Sequence, residues 1–87
     1  MKHASDATLN QIEPQLDAIR QHYLPPLNEK KQGTFYLKSS AFLHFHEDPA
    51  GIFADLKVAG DWERYPVNQP NEWDELMGAI ALHLPKT

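Results

Sequence analysis

The residues with the clearest potential for chemistry form one short run, His44-Phe45-His46-Glu47-Asp48. Alternate residues of a β-strand project from the same face of a sheet, so a strand here would place both imidazoles on one side, about 6.5–7 Å apart. This arrangement is used by His-x-His metal sites, in which imidazole nitrogens bind the ion. Two imidazoles do not make a site alone, and a third ligand would have to come from Glu47, Asp48 or the neighbouring strand.

The turn that follows decides which residues face the two histidines. Asp48-Pro49-Ala50-Gly51 has Asp first, Pro second and Gly fourth, which predicts a type I turn closed by a glycine bulge. With a four-residue loop from Asp48 to Gly51, residue 44 faces 55 and residue 46 faces 53. His44 then lies beside Asp55, and the two side chains could form part of a metal site or a base with its orienting acid.

A three-residue bulged loop gives a different register, in which residue 44 faces 56 and residue 46 faces 54. Both histidines then lie on the face that the helices cover, either as satisfied core groups or as the wall of a pocket. The first register separates polar from apolar side chains better, whereas the second fits the turn sequence better. Sequence alone leaves both registers open.

The segment Asp61-Trp62-Glu63-Arg64-Tyr65 combines acids, aromatic rings and an arginine, a composition enriched at interface hot spots. We expect partner contacts at four aromatic residues: Phe42, Phe53, Trp62 and Tyr65. No catalytic residue is predicted, because the chain has no cysteine and Ser39-Ser40 lies outside any G-x-S-x-G elbow. No cofactor is predicted either.

Hydrophobic spacing predicts the elements that must position these residues. Leu9, Ile12, Leu16, Ile19 and Tyr23 form one helical stripe, which predicts a helix over 10–23 with Asn10 as its N-cap and an exposed loop at 28–33. Alternating patterns then predict strands near 34–38, 41–47, 52–58 and 62–67, the last being an edge strand because it contains Pro66. A second stripe predicts a helix over 71–84 with Asn71 as its N-cap.

These elements predict a single α+β domain over 1–87, with residues 1–8 as a flexible N-terminus and 85–87 as a short tail. The order is helix, three- to four-stranded antiparallel sheet, helix. Each helix has one apolar stripe, so both are expected to pack on one face of the sheet.

Composition narrows the function classes. The 87 residues carry 12 acidic and 8 Lys+Arg side chains, for a net charge of −4, and eight of the acids lie between residues 47 and 75. Nucleic-acid binding needs clustered basic residues, so it is not expected. The chain has neither the apolar core of a signal peptide nor a run of about 18 apolar residues, so we expect a cytoplasmic protein with no membrane partner.

The stretch 42–56, FLHFHEDPAGIFADL, continuing to Arg64-Tyr65-Pro66-Val67, resembles a family of small uncharacterised bacterial proteins with an FHEDPAGxxADL core. The resemblance covers roughly residues 33–84. It implies a small α+β domain and brings no known activity, so it assigns no residue a role. The element order also resembles that of double-stranded-RNA-binding domains, whose last helix opens with basic residues, whereas this one opens with Asn71-Glu72-Trp73-Asp74-Glu75.

The leading functional hypothesis is a non-enzymatic cytoplasmic binding or interaction module that self-associates, most simply as a two-fold dimer. A chain this short has a small core, and its edge strand is exposed, and both features favour self-association. The alternative is a metal-dependent or small-ligand site built on His44, His46 and Asp55. Double-stranded-RNA binding ranks third because of the acidic charge.

Overall fold

The computed structural model describes residues 1–85; Lys86 and Thr87, the end of the predicted tail, lie outside this range. The described chain forms helices α1 (Asp6–Gln11), α2 (Glu13–Tyr23) and α3 (Pro70–His83). Its strands are β1 (Lys2–His3), β2 (Leu27–Lys31), β3 (Thr34–Leu37), β4 (Ser40–Asp48), β5 (Gly51–Val58) and β6 (Asp61–Pro66). None of these helices has the length and apolar character needed to cross a lipid bilayer.

All six strands belong to one antiparallel sheet. The order is β2-β3-β4-β5-β6, and β1 pairs separately with β4. Because β5 pairs with β4 over residues 43–48, β1 and β3 share the opposite edge of β4. The predicted α+β class with an antiparallel sheet is confirmed, but the predicted count of three to four strands is too low. Strand β6, which contains Pro66, lies at an edge of the sheet, as predicted. Pro66 has no backbone N–H, so it cannot donate to a further strand.

Strand β2 occupies much of the segment predicted as a loop. Its sequence, Leu27-Asn28-Glu29-Lys30-Lys31, has a single apolar residue, and only Leu27 is buried. Backbone pairing with β3 holds it in the sheet, and Gln32-Gly33 makes the tight turn between Lys31 and Thr34. Gly33 has φ +77°, a conformation that favours glycine.

The pairing of β4 with β5 selects the first of the two predicted registers. His44 faces Asp55, His46 faces Phe53, and the ladder runs on to Asp48 opposite Gly51. The register predicted from a glycine bulge is therefore wrong, although the residues of the turn, Asp48-Pro49-Ala50-Gly51, fit that register better. The physical reason is the sorting of side chains, because this register places Phe45 opposite Ala54 in the core and leaves the histidines on the other face.

One hydrophobic core joins the helices to one face of the sheet. Helix α2 contributes Leu16 and Ile19, and α3 contributes Leu76 and Ile80. They belong to the same cluster of buried residues as four alternating strand residues, Leu43 and Phe45 on β4 and Ala54 and Leu56 on β5. The opposite face of the sheet, which carries His44, His46 and Asp55, is called the open face below.

The N-terminal segment is structured where a flexible end was expected. Ser5 caps α1 by accepting a hydrogen bond from the Thr8 backbone N–H (3.2 Å), and its own N–H donates to Glu47 Oε1 (2.5 Å). The Ala4 N–H donates to the Phe45 carbonyl (3.1 Å). Helices α1 and α2 meet at Ile12, so the predicted single helix over 10–23 with Asn10 as N-cap is replaced by two helices.

Helix α3 starts slightly before the predicted boundary. Gln69 is the N-cap and Pro70 the first helical residue, whereas Asn71 was predicted as the cap. Glu72 Oε1 accepts from the Gln69 backbone N–H (3.0 Å), so an acid of the first turn satisfies a donor at the helix entry.

A cluster of charged side chains ties α2 to β2. Arg20 donates from Nε to Glu29 Oε1 (2.6 Å) and binds Glu13 through its other guanidinium nitrogens. The hydrogen bond from Arg20, together with one from Gln32, lowers the pKa of Glu13 to about 2. Burial by itself would raise the pKa of Glu29, but hydrogen bonds from Arg20 and the Gly33 backbone lower it overall.

This cluster predicts a loss of stability in acid. Carboxylates with lowered pKa values stabilise the fold above their ordinary pKa near 4.5, and that contribution disappears as the pH falls toward about 2. Urea unfolding across this range should show a declining free energy of unfolding. Arg20→Gln should be less stable at neutral pH and should lose less on acidification, and an equal loss in both proteins would contradict this assignment.

Two glycines give a matched pair of substitutions. A Cβ at Gly33 would lie 2.7 Å from Leu9 Cδ2 and would need a positive φ, so Gly33→Ala should destabilise the protein by about 1–3 kcal/mol. Gly78 is exposed within α3 and has open space around it, so Gly78→Ala should stabilise by about 0.5–1 kcal/mol. Urea denaturation tests both, and effects of the same sign would refute the conformational argument.

Candidate functional site

Two histidines of the site are positioned by the alternation of β4. Leu43 and Phe45 point into the core, so His44 and His46 project together from the open face. Their ring centroids are 4.7 Å apart with the planes nearly perpendicular. Both side chains are half-buried.

A third histidine joins them from the N-terminus. In the β1–β4 pairing, His3 lies opposite His46. The His3 ring is 4.6 Å from the His46 ring and 5.7 Å from the His44 ring, centroid to centroid. One ring nitrogen from each of the three residues can be chosen so that all lie within 4.8 Å of one another. We call these three residues the histidine cluster.

His3 is absent from the predicted site, because the sequence predicts residues 1–8 to be a flexible N-terminus. Strand β1 has two residues, which is too short to show a period-two pattern, and its partner lies more than forty positions along the chain. The available signal was only the presence of a histidine in that segment.

The spacing of the cluster is close to that of a metal site. Zinc binds imidazole nitrogens at about 2.0–2.1 Å, so two nitrogens on one tetrahedral ion lie about 3.3 Å apart. Because the cluster nitrogens lie within 4.8 Å of one another, no pair would need to close by more than about 1.5 Å. His3 is exposed, so its side chain has room to rotate toward the other two.

Asp55 lies behind the cluster. Although it is only 4% exposed, it carries a carboxylate whose Oδ2 is 2.9 Å from His46 Nδ1. The atoms are close enough for an ion pair, but they lack the alignment of a ring N–H hydrogen bond. Asp55 faces His44 in the strand register, as the four-residue loop predicted, yet its closest imidazole is the diagonal one, His46.

Arg64 on β6 holds the Asp55 carboxylate on its other side. Its Nε donates to Oδ1 (2.8 Å) and its NH2 nitrogen donates to Oδ2 (2.9 Å), so the pairing uses both carboxylate oxygens. Burial by itself would raise the pKa of Asp55, but the hydrogen bonds and charge of Arg64 lower it overall. Asp55 is therefore an ionised carboxylate fixed beside an imidazole.

The two strand histidines favour their neutral form. Burial lowers the pKa of His44, and the neighbouring His46 lowers it further. Burial also lowers the pKa of His46, although Asp55 acts in the opposite direction. His44 Nδ1 is buried and has no hydrogen-bond partner among residues 1–85. Neutral imidazoles with an unpaired nitrogen are suited to bind a metal ion.

Trp62 forms one side of the site. The centroid of its ring lies 4.4 Å from the centroid of the His44 ring, in an edge-to-face arrangement. Lys57 Nζ lies 4.6 Å from the Trp62 ring centroid. Trp62 is nevertheless 42% exposed. The indole therefore contacts the histidine cluster and also presents surface to solvent.

The remaining predicted contact residues are placed differently. Phe42 is 4% exposed and belongs to the core, so its ring does not lie on a surface. Phe53 is half-buried on the open face opposite His46. Tyr65 is half-buried and packs against the core, and its hydroxyl hydrogen-bonds to Glu63, which raises its pKa to about 12.

Comparison of the chain with known protein families, curated proteins and solved structures returns no match. Function is therefore inferred from the geometry of the site.

Proposed function

We propose that this protein binds a divalent transition-metal ion through His3, His44 and His46. The observation that carries the proposal is the convergence of three imidazoles, from two strands, on the open face, with nitrogen atoms within 4.8 Å of one another. Imidazoles that serve only to stabilise a fold normally find hydrogen-bond partners, and His44 Nδ1 has none among the described residues.

The donor set indicates which ions fit. Three neutral nitrogen donors suit Zn²⁺, Co²⁺, Ni²⁺ or Cu²⁺, whereas Mg²⁺ and Ca²⁺ prefer oxygen ligands. The chain contains no cysteine, so no thiolate competes for the ion.

Asp55 and Arg64 have a supporting role in this proposal. A carboxylate beside Nδ1 of a ligating histidine favours the proton on that nitrogen and leaves Nε2 free to bind the ion. The contact of Asp55 Oδ2 with His46 Nδ1 supports this assignment. Because Arg64 engages both oxygens of Asp55, we assign Asp55 to orienting His46 rather than to binding the metal.

Three protein ligands leave at least one coordination position for water or another ligand. Structural zinc sites have four protein ligands, whereas sites that bind a substrate or activate water usually have three. The exposure of His3 and Trp62 keeps this side of the site accessible. The proposal is therefore an accessible metal centre.

Calorimetric titration of the metal-free protein with Zn²⁺ or Ni²⁺ tests the proposal. We expect one ion per chain, with binding weakened at least about tenfold by His3→Ala, His44→Ala or His46→Ala, and about 10–100-fold by Asp55→Asn. His22→Ala and His83→Ala are matched controls, because these histidines lie on α2 and α3, and both should bind like the wild type.

The His3→Ala variant keeps this test decisive. Its side chain is exposed, so loss of binding cannot be attributed to unfolding, which circular dichroism would check for the two strand variants. Wild-type affinity in His3→Ala, or equal losses in the His22 and His83 controls, would contradict the proposal.

A second candidate is self-association through the open face, which the 42% exposure of Trp62 favours, with half-buried Phe53 on the same face. We expect the mass measured by light scattering to rise with concentration and Trp62→Ala to prevent the rise. Leu82→Ala is the matched control, because Leu82 is 75% exposed but lies on α3. A monomer at every concentration, or equal effects of the two substitutions, would contradict this candidate.

A further inference from the structure

A small cavity lies next to the histidine cluster, between the N-terminal segment and the turn from β2 to β3. Its volume is about 140 Å³, which is roughly the volume that four or five water molecules occupy in the liquid. Its lining includes His3, Asp6 and Leu9 from the N-terminal segment, Lys31 and Gly33 from the turn, and Phe45 from β4. A molecule of a few carbon atoms would fit this space.

The cavity follows from the sheet topology. Strands β1 and β3 share one edge of β4, but β1 pairs at His46 and Glu47 whereas β3 pairs no further along than Leu43. Phe45 lies between these two sets of pairs, where its carbonyl still accepts a hydrogen bond from the Ala4 N–H. Gly33 keeps the space open, because a Cβ there would lie 2.7 Å from Leu9 and 3.6 Å from Phe45, two residues of the lining.

The walls carry opposite charges that do not neutralise each other. Lys31 and Asp6 both line the cavity, yet neither forms an ion pair with the other or with any charged group in residues 1–85. Leu9 and Phe45 supply apolar surface between them. The residues that line the cavity therefore include one basic and one acidic residue, both exposed, together with apolar Leu9 and Phe45.

We propose that this cavity binds a free amino acid with a short side chain. The ligand's carboxylate would pair with Lys31, its ammonium group with Asp6, and its side chain would lie against Leu9 and Phe45. A zwitterion carries a charge complementary to Lys31 and a charge complementary to Asp6 in one molecule. A simple carboxylate would leave Asp6 facing an anion, and a simple amine would leave Lys31 facing a cation.

This inference does not rest on the metal proposal, although His3 contributes to both sites. The test is made on the full chain in the presence of EDTA, so that the histidine cluster holds no ion. Failure of amino-acid binding would therefore leave the metal proposal standing, and failure of metal binding would leave this one standing.

Amide NMR titration with glycine, alanine and valine provides the measurement, because it detects weak binding residue by residue. We expect shifts concentrated at residues 3–9, 31–34 and 45. Alanine should bind more tightly than propionate and ethylamine, each of which carries one of its two charges.

Conservative variants test the two charged contacts. Lys31→Gln and Asp6→Asn should each weaken alanine binding about two- to fivefold, the range expected for an exposed ion pair. Lys30→Gln and Asp74→Asn remove the same charges outside the cavity and should leave the affinity unchanged. All four positions are exposed, so the variants are expected to fold.

Three results would each overturn the proposal. They are the absence of shifts at alanine concentrations on the order of 50 mM, equal affinity for alanine and propionate, and binding that neither Lys31→Gln nor Asp6→Asn weakens. Shifts confined to residues outside the cavity would overturn it as well.

Discussion

The pairing register of β4 with β5 is the constraint on which the rest of the structure depends. Side chains alternate along a strand, so slipping β5 by one residue would move Ala54 and Leu56 out of the core and bring Asp55 into it. The register that buries the apolar set places His44 and His46 on the open face beside Asp55. The same strand register therefore both buries the core residues and brings the site residues together.

The open face contains a buried carboxylate, Asp55, that needs polar partners. Asp55 is an acid that is 4% exposed, and a buried carboxylate without partners would be costly. Arg64 from β6 and His46 from β4 approach it from both sides, so the carboxylate is compensated by neighbours in the sheet. The same contacts restrict the orientation of His46. Asp55 therefore contributes to the packing of the open face and, in the proposed metal site, orients His46.

Periodicity in the sequence located the elements that bury a regular apolar pattern. Strands β3 to β6 and helix α3 lie within one or two residues of their predicted bounds, because Leu43, Phe45, Ala54 and Leu56 alternate and Leu76 and Ile80 follow a helical stripe. Strand β2 was missed because it buries only Leu27 and is held by backbone pairing that leaves no apolar pattern. Strand β1 was missed because two residues carry no period.

The same limits applied to the site. His44, His46 and Asp55 could be proposed from a strand pattern and a turn, since all three belong to one hairpin. His3 and Arg64 could not be assigned to it, because the first depends on the unpredicted β1 pairing and the second on two successive strand registers. Long-range pairing decides which residues meet, and a single sequence specifies it only where one face is strongly apolar.

The decisive test of the proposed metal centre is a crystal structure of the protein soaked with Zn²⁺, with anomalous difference maps measured at the zinc absorption edge. We expect one strong peak on the open face, about 2.0–2.1 Å from a ring nitrogen of each of His3, His44 and His46, with Asp55 remaining on His46 Nδ1. A map with no peak at these three histidines, or with its strongest peak at His22 or His83, would contradict it.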